Sequence, residues 1–121
     1  MPVLPFKVTE SGVLIIRLRA DLDLSGRAAA ASGIDGCLAA HRSAPVVLEL
    51  SDAPLSGAAM SAVVRTHHMC RSADTPMAVV AARAETRRAL NAGTGGPAVH
   101  PTRAAALDAL SATPTEVATA A

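Results

Sequence analysis

Aromatic side chains are almost missing from this chain: Phe6 stands alone among 121 residues, with no tyrosine or tryptophan. Binders of single-stranded nucleic acid stack bases on aromatic faces, and one phenylalanine makes no such platform. Lysine is nearly missing as well, Lys7 standing against ten arginines. Charge as a whole is sparse at 17%, and it balances to a formal +1. The basic residues are scattered, so they lay no track for a phosphate backbone, and nucleic acid is excluded as a partner. Long apolar runs are absent too. Val13 to Ile16 is strand-sized, far short of the ~20 residues that span a bilayer, so no membrane insertion is expected. Met1 to Lys7 holds neither a long apolar region nor a small-residue cleavage site, so no signal peptide is expected. Cys37 and Cys70 are the only cysteines, which argues against a disulfide framework and for a reducing, cytoplasmic setting.

What the chain has is alanine, 28 of them, in a sequence that is 50% hydrophobic. Arginine in place of lysine together with abundant alanine looks like the coding bias of a GC-rich bacterial genome. The length suits one domain, which buries roughly two-thirds of its unfolded surface and needs no metal or disulfide staple.

Apolar segments alternate in kind along the chain. Phe6 to Thr9 alternates briefly, and Ser11-Gly12 reads as a turn. Val13 to Leu18 is β-branched and apolar, a buried strand. Ser25 is placed to cap a helix in which Ala28, Ala31, Ile34 or Asp35, and Leu38 recur until about His41. Gly33 and Gly36 weaken that helix by roughly 1 kcal/mol each relative to alanine. Val46 to Leu50 is a second buried strand. Met60, Val63, Val64 and His67 then fall at i, i+3, i+4 and i+7, one face of a helix. After Pro76, Met77 to Ala82 forms a third buried strand and Glu85 to Leu90 a short helix. Gly93-Thr-Gly-Gly96 reads as a turn, since it follows a helix and lacks the Lys-Ser/Thr of a phosphate loop. Pro97 to His100 suits an edge strand. Thr102 caps a last helix from Arg103 to Leu110, with Ala106, Leu107 and Leu110 inward. Residues 111–121 lack a periodic apolar face and are expected to be a disordered tail on a domain spanning 1–110. Strands alternating with helices give the α/β class, with a mixed, mostly parallel sheet of four or five strands and about four helices.

Several strings in this order resemble the STAS domain family, which includes bacterial anti-sigma factor antagonists. Arg19-Ala-Asp-Leu-Asp-Leu24 resembles the end of the family's second strand, and Val46-Val-Leu-Glu-Leu-Ser51 its central strand. Glu85-Thr-Arg-Arg-Ala-Leu90 resembles its short third helix, and His100-Pro-Thr102 with Ala106-Leu107 the start of its last one. The resemblance implies a regulatory protein that binds an anti-sigma factor of the serine-kinase type. In that family an Asp-Ser-Ser-Gly or Asp-Ser-Thr-Gly tetrad starts the second helix, and the partner kinase phosphorylates one hydroxyl to break the complex. Aligned without gaps from Ser51 to Val80, the tetrad falls on Gly57-Ala58-Ala59-Met60, which carries neither the acid nor the hydroxyls. No phosphorylation is therefore expected at the usual site. A gapped alignment sets Ser56-Gly57 on the tetrad's last two residues, but it needs compensating gaps on both sides of the helix start. Ser56 and Ser61 flank the position as alternative phosphate acceptors, and for Ser56 the plainer reading is a helix N-cap. A phosphate adds about −2 charge, which a helix N-terminus tolerates, so its disruptive effect falls on the partner's surface. The implied partner-binding residues are Asp21, Asp23, Asp52, Ser56, Gly57, Ala58, Ala59, Met60 and Ser61.

Other constellations have plainer explanations. Cys37 with His41, and His67 with Cys70, have the helical spacing and residue types of a tetrahedral zinc site. Each also continues an apolar stripe, and free cysteine packs as a small hydrophobe, so no metal is expected. Asp21 and Asp23 lie two apart on one face, without the base or nucleophile that acid–base chemistry needs. His67 and His68 have the chemistry to titrate near neutral pH. No Ser-His-Asp or Cys-His arrangement occurs in a nucleophile's context, so an enzyme is not expected, and neither is a cofactor. Two classes of function remain: an antagonist of an anti-sigma factor, or a divergent STAS module that binds a small apolar ligand or serves as a structural subunit of a transport or signalling assembly.

Overall fold

A computed structural model of the chain describes residues 5–92 and 95–120, with side chains described through Ser111. The elements follow the expected order. Strands are β1 (Phe6–Val8), β2 (Leu14–Leu18), β3 (Val46–Leu50), β4 (Met77–Val80) and β5 (Ala98–His100). Helices are α1 (Arg27–Ala40), α2 (Gly57–Ser72), α3 (Ala84–Asn91) and α4 (Arg103–Ala120), with a single 3-10 turn at Leu24–Gly26 before α1.

The five strands lie side by side in chain order. β1 runs antiparallel to β2 with Phe6 opposite Ile16, and every later pair is parallel. The β1–β2 connection is tight. Thr9 accepts the Gly12 amide on its carbonyl at 2.9 Å and the Val13 amide on its hydroxyl at 3.0 Å. Gly12 sits at φ 88°, a left-handed backbone that glycine adopts without steric cost.

Strand side chains alternate between faces, so the sheet carries two cores. Leu14, Ile16 and Leu18 of β2 join Val46, Leu48 and Leu50 of β3 and Val79 of β4 on one face, against α1, α2 and Leu90 of α3. Val13, Ile15, Val47, Ala78 and Val80 turn to the other face, where Ala106 and Leu110 of α4 cover them. Burial on both faces explains why β2 and β3 read as unbroken apolar runs rather than as alternating patterns.

The helix faces differ from those expected. α1 buries Ala30, Ile34 and Cys37, while Ala28 is exposed and Ala31 and Leu38 are half-buried. α2 buries Ala59, Ala62, Val63, Thr66 and Cys70, leaving Val64 42% exposed. A helix made largely of alanine has little apolar contrast around its circumference, so periodicity alone does not fix the buried face. Packing does: Ala30, Ile34 and Cys37 of α1 and Ala62, Val63 and Cys70 of α2 enter the core on this face of the sheet. The buried threonine of α2 is satisfied, since Thr66 donates its hydroxyl to the Ala62 carbonyl at 2.7 Å.

The caps also sort themselves out. Asp23, not Ser25, caps the turn into α1: its Oδ1 accepts the Gly26 amide at 2.8 Å, and Ser25 donates to the same oxygen at 2.9 Å. A carboxylate that accepts both groups outcompetes a hydroxyl for the free amide. Thr102 caps α4 as expected, accepting the Ala105 amide at 3.1 Å. Of the glycine-rich turn at 93–96, residues 93 and 94 lie outside the described residues. The tail expected over residues 111–121 falls where side chains beyond Ser111 lie outside the description, while the backbone of α4 is helical through Ala120. Among the described residues no helix is long and apolar enough to cross a membrane.

Candidate functional site

The carboxyl ends of β2 and β3 lie next to each other, and the two loops leaving them, residues 19–26 and 51–56, meet there. β2 and β3 are in parallel register with Leu18 opposite Leu50, so both loops start at one level. Ser51 bridges them first. Its amide donates to the Leu18 carbonyl at 3.0 Å, and its hydroxyl oxygen accepts the Ala20 amide at 2.9 Å. Ser56 bridges them again: its amide donates to the Ala20 carbonyl at 2.8 Å and its hydroxyl donates to the Leu22 carbonyl. The same oxygen accepts the Ala59 amide at 3.1 Å, capping α2 as the sequence led one to expect. The start of α2 is thus pinned to the loop that carries Asp21 and Asp23.

The residues singled out from the sequence occupy this end of the molecule, in different settings. Gly57 and Ser61 are exposed, and Ala58 is half-buried at the helix start. Met60 is half-buried and packs against the core, while Ala59 is fully buried. Asp52 is exposed and lies 3.8 Å from Arg83, the residue just before α3, whose guanidinium also contacts Glu85 at 3.2 Å. Two features were not singled out from the sequence. Ser51 ties the loops together, and Leu24, 75% exposed, puts an apolar side chain on the rim. A hydroxyl at the end of a buried strand is a signal for the first. The second had none, because Leu22 and Leu24 read alike and only Leu22 packs against the core.

The electrostatics of the rim follow from these contacts. Asp21 is held below the usual carboxylate range, chiefly by hydrogen bonds from Arg19, whose Nε and Nη2 each reach it at 3.1 Å. Asp23 is likewise lowered, first by the Gly26 amide and then by the Ser25 hydroxyl. Both stay ionised at neutral pH, which makes them fixed negative charges rather than proton carriers. Beneath the rim on the α4 face, Arg103 grips both oxygens of Glu49 at 2.8 Å.

Elsewhere, the cysteine–histidine pairs are engaged in packing. Cys37 and Cys70 are buried free thiols, and burial raises the titration of both. His41 donates from Nδ1 to the Cys37 carbonyl at 3.0 Å and meets the Phe6 ring edge-on at 5.4 Å. His67 is pushed below its ordinary value, mainly by burial and then by Arg71 and His68, so its charge forms only in acid. Among the described residues no group of three or more His, Cys, Asp or Glu side chains is gathered where it could hold a metal ion.

The comparisons with known proteins agree with this architecture. No curated protein matched the chain. The family model for the STAS domain matches residues 5–102, from the start of β1 to the cap of α4. With its mixed five-stranded sheet, four helices and a family match over most of its length, the chain belongs to the STAS domain family, a family of regulatory domains.

Proposed function

We propose that this protein is an anti-sigma factor antagonist: a bacterial, cytoplasmic, non-enzymatic regulator of transcription that binds a kinase-type anti-sigma factor. The contact surface consists of the accessible residues at the start of α2, Ser56, Gly57, Ala58, Met60 and Ser61, with Ala59 buried beneath them, together with Asp52 and the loop bearing Asp21 and Asp23. The observation that carries this reading is the double tie made by Ser56. By holding the Ala20 and Leu22 carbonyls while capping α2, it makes one preformed surface from two loops and a helix end. A preformed surface loses less entropy when a partner docks. Exposed Leu24 supplies apolar area beside the acidic pair, the mix of apolar and charged groups found at transient protein interfaces.

In this proposal the surface works without a phosphate switch at the usual position. Ala58 and Ala59 have no hydroxyl, and the Ser56 hydroxyl already donates one hydrogen bond and accepts another. The chain then behaves as a permanently unphosphorylated antagonist. Titration calorimetry against an anti-sigma kinase, before and after incubation with ATP, tests this. The expected result is binding of equal strength in both states, with no phosphate on the chain by mass spectrometry. Phosphate on Ser56 or Ser61 accompanied by loss of binding would show that the switch has moved rather than vanished. Replacing Ala58→Glu sets a charge into the contact and is expected to weaken the complex. Unchanged affinity would put the interface elsewhere.

A further inference from the structure

The sheet has two edges, β1 and β5, and they are finished differently. In β5 the His100 carbonyl accepts the Ala81 amide at 2.9 Å, so Ala98 and His100 turn their backbone groups toward β4 and Val99 turns outward. The next residues of outward parity are Pro97 and Pro101, which have no N–H to give. Prolines beside an edge strand deny it to another chain.

The β1 edge has no such guard. The Arg17 amide donates to the Pro5 carbonyl at 2.9 Å, and the Thr9 amide donates to the Val13 carbonyl at 2.9 Å. Bonding alternates along an antiparallel pair, so Pro5, Lys7 and Thr9 face β2, while the N–H and C=O of Phe6 and Val8 point away from the sheet. The same two residues bring apolar side chains to the surface. Phe6 is 44% and Val8 45% exposed, two of the four large apolar side chains left open among the described residues. Both stand on the α1 face, opposite Ile16 and Leu14, where the Phe6 ring meets His41. Lys7 is exposed on the other face. The carboxylate that senses it, Glu49, is already gripped by Arg103 through both oxygens.

We propose that the β1 edge is a docking site for an extended strand of a partner protein, one that carries an acidic residue between two apolar ones. Outward N–H and C=O groups on alternate residues match the backbone of another strand. In antiparallel docking the partner residues opposite Phe6 and Val8 form the hydrogen-bonded pairs, with their apolar side chains on the α1 face. The residue opposite Lys7 falls in a non-hydrogen-bonded pair, where side chains come closest, and a carboxylate there meets the ammonium. A second copy of this chain fits poorly, because the twofold pairing that uses both Phe6 and Val8 sets lysine against lysine. Lys7 thus selects the partner strand and discourages self-association at once. The edge shares no residue with the surface assigned to the anti-sigma factor, so the inference stands apart from that reading.

The test uses the full chain and two capped heptapeptides, Thr-Thr-Val-Glu-Val-Thr-Thr and its counterpart with lysine in place of glutamate. Binding and its place are read from backbone amide shifts. The glutamate peptide is expected to shift residues centred on Phe6, Lys7 and Val8 and to slow the exchange of the Phe6 and Val8 amides with solvent. It should bind at least about threefold more tightly than the lysine peptide. Lys7→Glu is expected to reverse that order. Val8→Pro removes an outward amide while leaving the bonds to β2 in place, and is expected to weaken the glutamate peptide about tenfold, with circular dichroism confirming the fold. Diluting the free chain is expected to leave the β1 shifts unchanged. The proposal is overturned if neither peptide shifts β1, if the shifts centre elsewhere, or if the two peptides bind alike. It is equally overturned if Lys7→Glu leaves their order unchanged, if Val8→Pro has no effect, or if dilution moves the β1 shifts, which would make a second copy the occupant.

Discussion

Ser56 donates its hydroxyl hydrogen to the carbonyl of Leu22, thirty-four residues earlier in the chain, while the same oxygen caps α2. One side chain therefore holds a loop and a helix end at once. Ser56→Ala removes both bonds and is expected to cost about 1–2 kcal/mol in urea unfolding. Ser56→Asp keeps an acceptor for the Ala59 amide but sets a carboxylate against the Leu22 carbonyl. It should be no more stable than the alanine variant, and equality with wild type would mean that the Leu22 bond is unimportant.

Val63 and Val64 are adjacent in sequence and opposite in environment. Val63 is fully buried and Val64 is 42% exposed. Val63→Ala is expected to destabilise by about 2 kcal/mol through lost burial and the cavity left behind. Val64→Ala should stay within about 0.5 kcal/mol, the ordinary range for a surface change. Equal effects at the two positions would mean that the face of α2 has been assigned wrongly.

Glu49 is held below the ordinary carboxylate range, first by the Arg103 hydrogen bonds, with burial opposing them. Its side chain is 16% exposed, so solvent screens the pair only in part. In the unfolded chain the group takes up its proton near pH ~4.3, and in the folded chain only at lower pH. The folded state therefore binds fewer protons in that window, so the stability from the pair is whole above it and is lost as pH falls through the folded value. Arg103→Ala is expected to cost about 1–2 kcal/mol at neutral pH. Glu49→Gln should flatten the acid limb of a stability-versus-pH curve. An unchanged limb would show that Glu49 does not carry it.

Cys37 and Cys70 are buried, and burial raises the titration of both thiols. Thiolate is the reactive form, so a disulfide reagent should label the native chain slowly at neutral pH and the urea-unfolded chain fast. Rapid labelling of the native chain would mean that α1 or α2 opens locally.

The order of elements was legible along the chain because strand and helix leave different local marks. Val46 to Leu50 is β-branched and apolar at its start, and it is β3 residue for residue. Thr102 and Ser56 announced their caps because a hydroxyl before a helix has few other tasks. The cap of the 3-10 turn leading into α1 was not legible in the same way. Asp23 and Ser25 both suit the position, and the choice depends on how the 3-10 turn aims the Gly26 amide. Around the candidate site, the string from Ser51 to Ser61 marked the helix start, but nothing local showed that Ala59 is buried while Ala58 is half-open.

By itself the sequence determined the class of fold, the strand positions and the missing hydroxyls at Ala58 and Ala59, since each is a matter of residue type and local period. The tertiary structure alone decided which alanines are buried and which loop Ser56 holds. The physical reason is contrast. Alanine fits a core and a surface almost equally well, so an alanine-rich helix takes its orientation from the sheet it must approach rather than from its own pattern.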